Sequence, residues 1–140
     1  MLWLHPLIQL LATVMAFYVL FLAWPRFKSL HLSKQGKFEW KKHAFWGRII
    51  IIVWLGGLVL GKVAVQSHWN MSPLFLTHSQ GAMFMVPFMI VAYVTGSVMD
   101  RKKQKRLWLP MVHGLNNLVM LGIALYQVYT GYFIIVNFML

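Results

Sequence analysis

Six histidines occur in this chain of 140 residues, and four of them, His5, His43, His78 and His113, are spaced so that they can work in pairs. The interval from His5 to His78 is nearly the same as that from His43 to His113. Imidazole is the commonest protein ligand for transition metals. Two imidazoles on opposed helices at one depth are what a six-coordinate haem iron requires, one on each face of the ring. The chain has no cysteine, so disulfides, iron–sulfur clusters and covalent c-type haem attachment are excluded, and a metal would be held by His, Met or oxygen.

Polar residues near these histidines fit a supporting role. Gln9 stands four residues after His5 and Gln80 two after His78, and either side chain can satisfy an imidazole N–H or a haem propionate. Asn116 and Asn117 lie about one turn below His113, with Asn117 in the binding set. Arg48 is the candidate propionate partner, because a guanidinium recognises carboxylates. Gly47, Gly81 and Gly114 follow His43, His78 and His113 closely and would let a flat ring approach the backbone. Met83, Met85 and Met89 read as helix packing, since four histidines already satisfy two irons.

The elements that must carry these residues follow from composition. Apolar residues make up 60% of the chain and charged residues 11%, a balance foreign to soluble domains. A crossing helix needs about 20 apolar residues. Four segments qualify, over about 2–24, 44–65, 74–99 and 107–133. Pro25 and Arg26 are expected to close the first, and Ser72-Pro73 to open the third as N-cap and first-turn proline. The first segment lacks a basic n-region and a small-residue cleavage site, so it reads as a span and not as a signal peptide. The class is therefore all-α, an integral membrane four-helix bundle in a single domain, 1–140.

The net charge of +11 would suit a nucleic-acid binder, but its distribution does not. Seven bases fall between Arg26 and Arg48 and five between Arg101 and Arg106, leaving only Lys62 elsewhere. By the positive-inside rule these two loops are cytoplasmic, which puts both chain termini on the outer, periplasmic side. His5 and His78 then lie near the outer face, and His43 and His113 near the inner face. Trp3, Trp24, Trp46, Trp69 and Trp108 fall near the span ends, as an aromatic belt would. One histidine at an interface is ordinarily a headgroup contact; four in a matched pattern point to ligation.

The motifs Leu4-His5-Pro6-Leu7, Lys42-His43, Leu74-Phe75-Leu76-Thr77-His78-Ser79-Gln80-Gly81 and Pro110-Met111-Val112-His113-Gly114 together resemble the helix starts of the cytochrome b561 family core. The resemblance runs from about Leu4 to Gly131 and is that of a short, bacterial-type member. It implies a transmembrane electron carrier with two b haems, the outer one on His5 and His78 and the inner one on His43 and His113. Animal and plant members have six helices and an arginine close before the last ligand, where this chain has four spans and reads Trp108-Leu109-Pro110-Met111-Val112. In placement His68 resembles an outer-site histidine of that family, and His31 is a loop residue.

The function expected is one-electron transfer across a bacterial inner membrane through two haem b. The chain would serve as the membrane subunit of a larger redox complex with an outer cytochrome, or as a small reductase fed by quinol or another reductant. Membrane lipid is the remaining partner, and nucleic acid is excluded. The competing readings are a metal-ion transporter, for which no span offers mid-membrane carboxylates, and a non-redox membrane anchor subunit.

Overall fold

The computed structural model describes residues 3–32, 36–68 and 73–140. Four long helices follow one another: α1 (Leu4–His31), α2 (Trp40–His68), α3 (Pro73–Arg101) and α4 (Trp108–Phe138). At 28 to 31 residues each, they measure roughly 42 to 46 Å, long enough to cross the hydrocarbon core and both headgroup layers. All four are apolar enough to do so, which marks the chain as an integral membrane protein. Trp69 and Ser72 lie outside the described residues, so the expected cap on Ser72 does too; Pro73 is the first residue of α3.

The first helix does not end at Pro25. It continues to His31. Proline costs a helix one main-chain hydrogen bond and a local clash, and it does not forbid the next turn. Gly36, in the connection to α2, folds back on this turn: a Cβ placed there would stand 3.1 Å from Pro25 Cβ.

Helices α1 and α2 pack closely, as do α3 and α4, forming two hairpins. Looser contacts join α2 to α3 and α1 to α4, leaving α1–α3 and α2–α4 as diagonals. The core fills the middle of the bundle with Ala12, Ile50, Ile51, Trp54, Met85, Met89, Ala92, Met120 and Ala124. Around it, large apolar side chains such as Leu11, Phe21, Ile52, Phe84 and Leu115 point outward. In water such a surface would be a liability. In lipid it needs no cover, and the helical main chain satisfies its own polar groups there.

Polar contacts tie the end of the bundle where the α1–α2 and α3–α4 connections lie. Arg48 of α2 pairs with Asp100 of α3. Lys103 sits 3.2 Å from Asp100 Oδ1 and 3.5 Å above the Trp40 ring, joining the α3–α4 turn to the start of α2.

Candidate functional site

The bundle brings the four helix-start histidines together as two pairs, each across a diagonal. His5 of α1 meets His78 of α3 at the end that carries the chain termini, with ring centres 6.3 Å apart and planes at 84°. His43 of α2 meets His113 of α4 at the opposite end, with centres 6.2 Å apart and planes at 71°. Imidazole nitrogens stand about 2.0–2.1 Å from a bound metal ion, and each ring centre lies about 1.2 Å behind its nitrogen. Two imidazoles sharing one ion on opposite sides therefore have centres roughly 6.3 Å apart, and both pairs meet that spacing.

Three of the rings are supported from the other helix of their own hairpin. His43 Nδ1 lies 3.1 Å from the Val19 carbonyl of α1. His78 Nδ1 lies 2.8 Å from Thr130 Oγ1 of α4, and His113 Nδ1 lies 2.8 Å from Thr95 Oγ1 of α3. His5 Nδ1 is buried without a well-formed hydrogen bond, although the Gly57 carbonyl of α2 is near enough to interact with the ring. Three helical glycines give the rings room: a Cβ on Gly61, Gly96 or Gly131 would stand 2.9, 3.2 or 3.4 Å from Cε1 of His5, His113 or His78 respectively.

The two tiers are well separated. Along α3, the run from His78 to Thr95 covers roughly 26 Å of helix axis. The apolar core occupies the space between them, with Trp54, Met85 and Met89 among its members. At the His43–His113 tier a cavity of about 660 Å³ opens between the hairpins, lined by both rings, Gly47, Gly96, Gly114 and Asn117. That volume is in the range of ligand pockets. A Cβ on Gly114 would meet nothing within contact distance.

The polar residues picked from the sequence take varied places. Arg48 lines the same cavity while paired with Asp100. Asn117 also lines it and donates to the His113 carbonyl, and Asn116 donates to the Phe88 carbonyl of α3. Gln9 donates to the Val53 carbonyl of α2, 3.1 Å away, and Gly57 leaves space for its amide. Gln80 is exposed, in an outward groove between α3 and α4 with Gly81 and Tyr126. Gly81 accommodates the side chain of Gln127, whose amide nitrogen and oxygen are both buried without partners. Gln127 precedes Thr130 by one turn of α4, hence by about 4.5 Å along the axis from the His5–His78 tier.

Local sequence spacing does not single out Thr95, Thr130 or the three ring-packing glycines. A signal for them is present in their register, since Thr-Gly follows His78 and His113 at one spacing. Among the described residues, no group of three or more His, Cys, Asp or Glu side chains is placed to hold a metal ion. Compared with known proteins, the chain matches no family model, no curated protein and no solved structure.

Proposed function

We propose that this chain carries single electrons across a membrane through two b-type haems, one on His5 and His78 and the other on His43 and His113. The observation that carries the reading is the pair of diagonal imidazole contacts at 6.3 and 6.2 Å, one near each end of a bundle built of membrane-length helices. Bound there, a six-coordinate haem iron would supply reversible one-electron chemistry with no open position for oxygen. The histidines orient and hold; Gly96 and Gly114 keep the cavity walls flat; the aliphatic and aromatic core keeps water out of the middle. A divalent-ion pathway is better served by a third histidine or a carboxylate level with a histidine pair, and among the described residues no such group of three is brought together.

The sidedness rests on charge. Twelve of thirteen bases lie in the two connections near His43 and His113 or in the helix ends that flank them, so that end is assigned to the cytoplasm and the chain termini to the periplasm of a bacterial inner membrane. Short connections between the spans favour a role as a membrane subunit handing electrons to an outer cytochrome over that of a free-standing reductase fed by quinol. The resemblance to the cytochrome b561 family core supports the two-haem electron-carrier reading.

Reconstitution tests the function. Vesicles holding the full chain and a trapped ferric acceptor should reduce it when a membrane-impermeant reductant is added outside. Protein-free vesicles should not. Equal rates in the two would refute electron transfer across the bilayer.

A further inference from the structure

We infer that Thr95 and Thr130 are positioning residues that lock His113 and His78 as Nδ1–H tautomers, so that each ring turns the lone pair of Nε2 toward its diagonal partner. The inference rests on the haem reading for its purpose, but its geometry stands without it. Each threonine hydroxyl carries one proton. Thr95 Oγ1 lies 2.6 Å from the Val91 carbonyl and Thr130 Oγ1 lies 3.1 Å from the Tyr126 carbonyl, each one turn back on its own helix. A hydroxyl that donates to its own helix has only lone pairs to offer the ring. The imidazole must then donate from Nδ1, which leaves Nε2 unprotonated and able to ligate. The reverse arrangement, with the hydroxyl donating to Nδ1, would put the proton on Nε2 and close the ligand position.

The same device is built twice. Thr95-Gly96 follows His78 at the same interval at which Thr130-Gly131 follows His113. Because α3 and α4 run antiparallel, this shared spacing places the Thr-Gly of each helix beside the histidine of the other. The hydroxyl accepts a hydrogen bond from Nδ1–H and the glycine receives the ring. The first hairpin supplies a comparison. Gly61 follows His43 in the register of Gly96 and Gly131, and it packs against His5, but Leu60 stands where the threonine would be. His5 is the one ring of the four without a well-formed Nδ1 hydrogen bond. In α1 the matching residues are Leu22-Ala23, and His43 uses the Val19 carbonyl instead.

An Nδ1–H that donates to an acceptor enriches the ring in electron density and favours oxidised iron, so removing the acceptor should raise the midpoint potential of the haem concerned. Thr95→Val and Thr130→Val keep the side-chain shape and delete the acceptor. Redox titration of the purified full chain should show each variant moving one potential upward and leaving the other in place. The expected change is up to tenfold in the reduced-to-oxidised ratio, about 59 mV for a one-electron couple. Thr95→Ser and Thr130→Ser should restore the original values. Unchanged potentials in both valine variants, or serine variants that behave like valine, would overturn the inference.

A second arm needs no haem and no substitution. Nitrogen-15 spectra of the histidine-labelled wild-type chain prepared without haem should show the rings of His78 and His113 as Nδ1–H tautomers, alongside that of His43, whose Nδ1 donates to the Val19 carbonyl. Finding His78 and His113 protonated on Nε2 would also overturn it. Absence of haem from the wild-type chain would refute the haem reading and leave the tautomer result standing.

Discussion

His5 and His78 meet with ring centres 6.3 Å apart and planes nearly perpendicular, although more than half the chain and two reversals of its direction separate them. Nothing local in the sequence joins them; only the α1–α3 diagonal does. The second pair repeats the relationship on the α2–α4 diagonal at 6.2 Å, and neither pair shares a residue with the other.

That independence gives the first prediction. His113→Ala should yield a chain with one haem in place of two, and His78→Ala should do likewise with the other haem retained. Absorbance per chain measures both. Loss of both haems from a well-folded single variant, or of neither, would contradict the pairing.

The glycine contacts make a graded prediction. A Cβ on Gly61 would press to 2.9 Å from the His5 ring, closer than real Cβ atoms come, whereas one on Gly131 would sit in ordinary contact at 3.4 Å from His78. Overpacking of this kind costs about 1–3 kcal/mol, and loss of ligand support lowers metal affinity about 10–100-fold. Gly61→Ala should therefore weaken haem retention at the His5–His78 tier while Gly131→Ala leaves it intact. Haem content after extended dialysis against apomyoglobin distinguishes them.

Much of this arrangement is legible in the sequence. Charge-poor runs of membrane length announce four helices, and alternation of helix direction sorts the histidines into two levels. Helix ends are less legible: the chain continues helically through Pro25, because a proline removes one hydrogen bond without stopping the turns that follow. The supporting residues are less legible still. Gln9 and Asn116 bond to main-chain carbonyls of neighbouring helices, whereas Thr95 and Thr130, about 26 Å along the axis from the histidines of their own helices, brace the rings. Local spacing favours residues one turn from a ligand. The support here comes from the antiparallel partner, so it is encoded in a long interval between histidine and threonine that α3 and α4 share.

Asp100 lies between Arg48 and Lys103, with the Arg48 side chain 42% exposed and its own 21% exposed. Partly exposed pairs contribute little, about 1 kcal/mol or less. Asp100→Asn should lower thermal stability by no more than that and leave both haems bound. A variant that loses the haem of the His43–His113 tier would instead make the ion pair part of the binding site.

The absence of native cysteine makes the membrane orientation easy to read. A single cysteine at Gln104, in the basic α3–α4 turn, should react with an impermeant maleimide only after the cytoplasmic side is opened. One at Asn137, near the end of α4, should react in intact spheroplasts. The reversed pattern would invert the assignment of the two histidine pairs to the two faces.

The most direct test of the central claim is a reduced-minus-oxidised spectrum of the purified full chain with haem counted per chain. Two b-type haems per chain, both six-coordinate, is the predicted result. A well-folded helical chain, purified from haem-replete cells and carrying none, would contradict it.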